Sequence, residues 1–350
     1  MHFARVLVLL MTTAVIATAC GGGTASPSAT TAASSAAAAT ATPKPSPVKV
    51  VSSYGNVTPS NLAPFMAKEL GLFEKHGLDV DLTLISGGNA SSAALISGNV
   101  QVGNFGGTEA MSAFVGGADI RAVALFVPVT PWQFLAKPDY KTAADLKGKV
   151  VGVASIGGSA YIAAVSSLQA LGLDPQKDVT IQAFGDTAKL TAAMLGGAAY
   201  AGPGHPPDTT ALIKAGFKPI YDLAAQKVPA TDNATVVLKS WADSHKAVLQ
   251  AYVDAEIEAI AAAKKDKAKT LPIMAKLLNL DPTKDADALS QTYDFYLNTI
   301  MPTYPHLDVK AFQSTRDALV PTNPGVKDFD VTKVLDDSYV ADAEKRGVGK

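Results

Sequence analysis

Four short glycine-bearing turns hold the residue types best suited to chemistry in this chain. They are Ser53-Tyr54-Gly55-Asn56, Ser86-Gly87-Gly88-Asn89, Phe105-Gly106-Gly107-Thr108 and Ile156-Gly157-Gly158-Ser159. Glycine lets backbone N–H groups approach a bound molecule closely, and the start of a following helix favours groups that accept hydrogen bonds. Any one such turn is explained as well by a tight strand-to-helix connection. Four of them on one face point to a ligand site. This is chemistry for holding a molecule, and the constellations that transform one are missing. The histidines His2, His76, His205, His245 and His306 show no H-x-x-H or H-E-x-x-H spacing. The chain has no G-x-S-x-G elbow and no G-x-x-x-x-G-K-[ST] phosphate loop, and no pair of carboxylates stands out.

For those turns to face one guest, strands and helices must alternate. Apolar and β-branched runs predict strands over residues 48–54, 78–85, 100–105 and 120–126, with helices over 60–75, 89–97 and 108–115 between them. The pattern then restarts, with strands at 133–137, 150–153, 179–183 and 219–222 and helices at 160–171, 187–195 and 208–215. A last short strand at 236–238 precedes a helical tail broken by Pro302, Pro305, Pro321 and Pro324. Such alternation implies right-handed βαβ units and parallel sheets, with ligands outside the carboxyl ends of the strands. The fold class is therefore α/β, in two lobes, the second inserted into the first. Arg121, the only arginine between the signal run and the C-terminal region, precedes a strand and so points to the wrong end of the sheet for a ligand. Trp132 either stacks on a ligand or packs in the core.

Composition and the ends of the chain bound the setting. An apolar content of 48% with 17% charged residues indicates a well-cored globular body. A net charge of −1 argues against nucleic acid, whose phosphates require a basic surface. Arg5 followed by an uncharged apolar run at 6–19 reads as a secretory signal over residues 1–19, too short to span a bilayer. The run ends at Ile16-Ala17-Thr18-Ala19-Cys20, which resembles a bacterial lipobox and makes Cys20 the expected lipidation site and membrane anchor. An ordinary signal cleaved near Ala19 would instead leave a lone reactive thiol, a liability in an oxidising compartment. Residues 20–47, almost wholly Gly, Ala, Ser, Thr and Pro after the cysteine, read as a disordered tether. Cys20 is the only cysteine, so disulfides and thiolate metal sites are excluded from the body.

A longer pattern then emerges. It comprises Gly71-Leu72-Phe73, Gly77-Leu78-Asp79-Val80, Ser86-Gly87-Gly88, Ala94-Leu95-Ile96-Ser97-Gly98-Asn99-Val100 and Ala144-Asp145-Leu146-Lys147-Gly148-Lys149-Val150-Val151-Gly152-Val153. Together these resemble the nitrate/sulfonate/taurine group of ABC-transporter solute-binding proteins, related to thiamine-pyrimidine-precursor binders, over roughly residues 48–240. The resemblance implies a two-lobed periplasmic-binding-protein fold (type II-like), with ligand between the lobes and closure at a two-stranded hinge. It implies lobe 1 over residues 48–139, lobe 2 over 140–232 and a return to lobe 1 over 233–350, with crossings near 137–140 and 232–238. The pocket it implies is lined by Ser53, Tyr54, Asn56, Gly88, Asn89, Gly107, Thr108 and Glu109 from lobe 1 and by Gly158 and Ser159 from lobe 2. Glu109, if it faces that pocket, would favour a group that donates hydrogen bonds. His205, in the loop Gly204-His205-Pro206-Pro207, is either a ligand contact or a loop residue. The implied partners are a small organic or anionic solute and ABC permease and ATPase subunits, with no cofactor, for a monomer held outside the cytoplasm by its lipid anchor. The competing readings are a pyrimidine-precursor synthase, an enzyme class that shares the fold but carries a cysteine-rich motif, and a binding component of a different transporter or sensor.

Overall fold

The valine-rich run Val48–Tyr54 forms the first strand, β1, of the computed structural model, which describes residues 46–350. The signal run, Cys20 and the tether up to residue 45 lie outside the described residues. The helix expected over 60–75 is divided. A 3₁₀ turn at Pro59–Asn61 leads into α1 (Leu62–Glu69), and Gly71, at φ 66°, separates it from α2 (Leu72–Lys75). That left-handed backbone suits glycine and ends the helix where an L side chain would be strained. The chain continues through β2 (Leu78–Leu84), α3 (Gly88–Ile96), β3 (Val102–Phe105), α4 (Gly107–Val115) and β4 (Ile120–Val129). The second lobe contains β5 (Gln133–Ala136), β6 (Val150–Val153), α5 (Ser159–Ala170), β7 (Thr180–Ala183), α6 (Thr187–Leu195), β8 (Ala201–Gly204), α7 (Asp208–Lys214) and β9 (Lys218–Asp222). Strand β10 (Pro229–Leu238) then returns to the first sheet.

The first sheet has the order β2-β1-β3-β10-β4 and the second β7-β6-β8-β5-β9. The central βαβ strands are parallel, as the alternation requires, while β10 and β5 run antiparallel to both of their neighbours. These two reversed strands are how the chain leaves and re-enters a lobe. They also correct the crossings expected from the sequence. Because β5 pairs with β8 and β9, the first crossing is at residues 130–132, not 137–140. Because β10 already pairs at Pro229, the second is at 223–228, not 232–238. The polar stretch Thr231-Asp232-Asn233 conceals this early start, and bulges in the β4–β10 register accompany it.

After β10 come α8 (Lys239–Ser244), α9 (Lys246–Lys265), α10 (Lys267–Leu278), α11 (Ala286–Tyr293), α12 (Val309–Leu319) and α13 (Ser338–Arg346). They cover the first sheet on both faces. Leu249, Tyr252, Val253, Ile257 and Ile260 of α9 recur at helical spacing and bury one stripe with Phe73 of α2 and Val50 and Val80 of the sheet. On the other face, Met111 of α4 and Phe312 of α12 pack with Leu125 and Val236. In the second lobe, α5 supplies Ala164, Val165 and Leu168 to one face, and Leu190, Met194 and Leu212 of α6 and α7 cover the other. Removing a fully buried Phe such as Phe73 from water contributes about 2–3 kcal/mol. The framework is thus rigid enough to hold the loops at its strand ends.

Candidate functional site

The parallel strands of both sheets send their carboxyl ends toward a single cleft. Gly55 and Asn56 follow β1, Gly87 and Gly88 follow β2, and Gly106 follows β3. Ser155, Gly158 and Ser159 follow β6, Thr187 follows β7, and His205 follows β8. Because β10 runs antiparallel, Asp232 and Asn233 in its N-terminal half arrive at this same end. The inner chamber has a volume of about 50 Å³ and opens onto a larger groove of about 380 Å³, which shares Asn56, Thr187 and His205 with it. The glycine turns meet closely. A Cβ on Gly55 would stand 3.4 Å from the Gly88 backbone. One on Gly158 would stand 3.9 Å from Glu109 Oε1 across the cleft and 2.5 Å from Ser155 Oγ. Gly87 and Gly157 adopt φ of 95° and 80°, where glycine is favoured.

Two carboxyl groups dominate the chamber. Glu109 lies in the first turn of α4, where its Oε2 accepts from Thr108 Oγ1 at 2.5 Å. Burial raises its pKa above the usual carboxylate range; the Thr108 hydroxyl and its own backbone N–H oppose that shift, and the nearby Asp232 adds to it. Asp232 accepts from Ser60 Oγ at 2.7 Å and from Trp132 Nε1 at 3.2 Å. Burial raises it too, against the opposing pull of Ser60, His205, Trp132 and Ser159. Asp232 therefore joins β10, the turn before α1 and the crossing segment at a single carboxyl. Trp132 is 4% exposed and packs edge-on against His205, with ring centroids 4.6 Å apart. Tyr296 also packs edge-on against His205, with ring centroids 6.0 Å apart. Trp132 packs in a core, as one sequence reading expected, and it also lines the cleft.

Of the residues expected at the site, Asn56, Gly88, Glu109, Gly158, Ser159 and His205 line the inner chamber. The others stand elsewhere. Ser53 is fully buried and its Oγ pairs with Ser91 Oγ at 2.7 Å, tying β1 to α3. Tyr54 packs edge-on against Phe65 of α1. A Cβ on Gly107 would collide with Thr231, so this glycine permits helix α4 to pack on β10. Asn89 and Thr108 line a separate groove beyond Glu109, and the Thr108 hydroxyl donates to that carboxyl. The displacement has a simple cause. The last side chains of a strand covered on both faces point into packed layers, whereas the turn beyond it faces the cleft.

The sequence reading missed Ser60, Asn61, Ser155, Asp232 and Asn233 as wall residues. Asp232 was placed at the hinge, and only recognition of β10 as antiparallel would have brought it to the ligand end. Arg121 pairs with Asp119 at 2.7 Å and is absent from the cleft, as expected.

Residues 58–270 match the model of the family described as NMT1/THI5 like. No curated protein matches the chain. Among solved structures, the periplasmic aliphatic sulphonate binding protein SsuA of Escherichia coli is similar at 21% identity and a TM-score of 0.65, over 80% of this chain and 94% of that one. The alkanesulfonate-binding protein SsuA of Xanthomonas axonopodis pv. citri, bound to MOPS, is similar at 20% identity and a TM-score of 0.66, over 86% of this chain and 99% of that one. The desulfurization enzyme DSZB is similar at 16% identity and a TM-score of 0.62, over 85% of this chain and 99% of that one. The fold is thus shared by binding proteins and by an enzyme. With its two parallel-rich sheets meeting at one cleft, the chain has the periplasmic-binding-protein fold and belongs to the NMT1/THI5-like family.

Proposed function

We propose that this chain is an exported, lipid-anchored solute-binding protein that captures a small molecule between its lobes and delivers it to the permease and ATPase subunits of an ABC importer. The observation that carries this reading is the convergence of turns from both sheets, with Asp232 and Trp132 from the connecting strands, on one polar cleft. A solute touching Gly88 or Glu109 on one side and Gly158 or Ser159 on the other would stabilise the closed arrangement by bridging it. Catalysis has less support. His205 is tied through Nδ1 to the Pro206 carbonyl at 3.0 Å, and no described hydroxyl bonds to its ring. No cysteine stands among the described residues.

The test is a thermal-shift screen over sulfonates, carboxylates, pyrimidines, nitrate and amines, because a ligand of the folded state alone raises the melting temperature. A solute that raises it and is recovered unchanged supports capture; a solute consumed by the pure protein refutes it in favour of an enzyme. For the anchor, Cys20→Ala should release the protein from membranes, and continued membrane retention would disprove lipidation.

A further inference from the structure

Three helices, α3, α4 and α5, start at the cleft behind the glycines Gly87, Gly106 and Gly158, none of which provides a side-chain cap. Left alone, such helix starts attract an anion. The protein places a carboxyl group there. Glu109 Oε1 lies 2.5 Å from where a Cβ would stand on Gly88, and Oε2 lies 2.6 Å from the corresponding point on Gly106. The Glu109 carboxyl thus lies against the backbone where α3 and α4 begin, and Asp232 lies close enough to perturb it.

One further wall group offers a free acceptor. Asn61 Nδ2 donates to the Asn56 carbonyl at 2.8 Å, which leaves Asn61 Oδ1 to accept from Asn233 Nδ2 at 2.9 Å. That chain of bonds fixes the orientation of the Asn233 amide. Its Oδ1, on a side chain only 3% exposed at the chamber wall, is left without a partner. At His205, the Pro206 carbonyl can only accept, so Nδ1 carries the hydrogen. Among the described residues, no lysine or arginine lines the inner chamber or the adjoining groove. That groove is walled by Val57, Leu84, Leu278 and Leu280, with Asp208 among its polar residues.

From this arrangement we infer that the captured solute is a small organic cation, a protonated nitrogen head bearing N–H donors on a short apolar body. The head sits in the inner chamber against Glu109, Asp232 and Asn233, and the body lies in the larger groove. Positive charge suits two neighbouring acids, and an N–H donor would satisfy Asn233 Oδ1, the wall acceptor left without a partner. A sulfonate would face Glu109 and Asp232 with no cationic side chain to offset them. This inference rests on the solute-capture reading and narrows it to one chemical class.

The test is calorimetric titration of the full chain at neutral pH with three solutes of matched length: butylammonium, pentanamide and butanesulfonate. Butylammonium should bind at least roughly tenfold more tightly than either of the others. Glu109→Gln and Asp232→Asn should each weaken it by roughly tenfold or more, without strengthening its preference over butanesulfonate. Two conservative variants keep the test valid if one fails to fold, which a melting curve would reveal. Butanesulfonate or pentanamide binding as tightly as butylammonium would overturn the cation assignment while leaving capture intact. Failure of all three solutes, together with every class in the thermal-shift screen, would defeat capture itself.

Discussion

At the scale of single residues, the cleft depends on what glycine omits and on what Asp232 gathers. Gly158 has an ordinary backbone, so its requirement is steric: a Cβ would press on Ser155 Oγ at 2.5 Å and approach Glu109. Gly158→Val should therefore weaken the affinity of the best ligand by roughly tenfold or more, about 1.4 kcal/mol, while the melting temperature without ligand changes little. Unchanged affinity in calorimetry would remove that turn from the site. Trp132→Phe keeps the ring against His205 but deletes the donor to Asp232, and should cost about 1.5–3 kcal/mol of stability in a urea titration. An unaltered unfolding midpoint would mean that the Trp132–Asp232 bond contributes nothing. Most of the wall from the glycine turns was legible in the sequence, because glycine after a β-rich run marks a close approach whatever its partners. Asp232 was not, since its role comes from a strand whose opening residues are polar and whose direction no local pattern reveals.

At the scale of elements, α9 shows how a helix is held beneath the site. Its Glu256 is fully buried, accepts from Thr235 Oγ1 on β10 at 2.8 Å, and leaves Oε1 without a partner. Burial pushes its pKa up to about 8 from an ordinary 4.5, with the Thr235 hydroxyl only partly opposing it. The folded protein therefore holds this proton where the unfolded chain has lost it. The contribution of Glu256 to stability is complete below about pH 4.5 and declines as pH rises through about 8, by a few kcal/mol, on the order of 1.4 kcal/mol per pH unit. Urea unfolding at pH 5 and pH 8.5 should show a drop in the wild type that is smaller in Glu256→Gln. An equal drop in both would place the pH dependence elsewhere. The sequence showed α9 only as part of a helical tail. Which of its residues face the sheet follows from packing, and a buried acid among apolar neighbours has the same local signature as a solvated one.

At the scale of the whole molecule, the α/β alternation made the two sheets and their parallel βαβ cores readable, since each strand-helix pair carries its own period. The crossings were displaced by several residues because β5 and β10 draw their identity from distant partners, not from their own composition. Trp132 sits at one of these crossings, so it should report on any closure around a guest. With Trp241 replaced by Phe to leave a single indole, adding the best ligand should shift or quench Trp132 emission; an unchanged spectrum at saturation would argue against rearrangement of the hinge.

Above all, the cleft should grip a guest from both sides and leave it chemically intact. A crystal structure of the protein with its tightest-binding solute examines this most directly. The expected density is an unaltered molecule in contact with Glu109 or Asp232 on one side and with Gly158 or Ser159 on the other. Density for a cleaved product, or for a molecule seated on one lobe away from these turns, would contradict it.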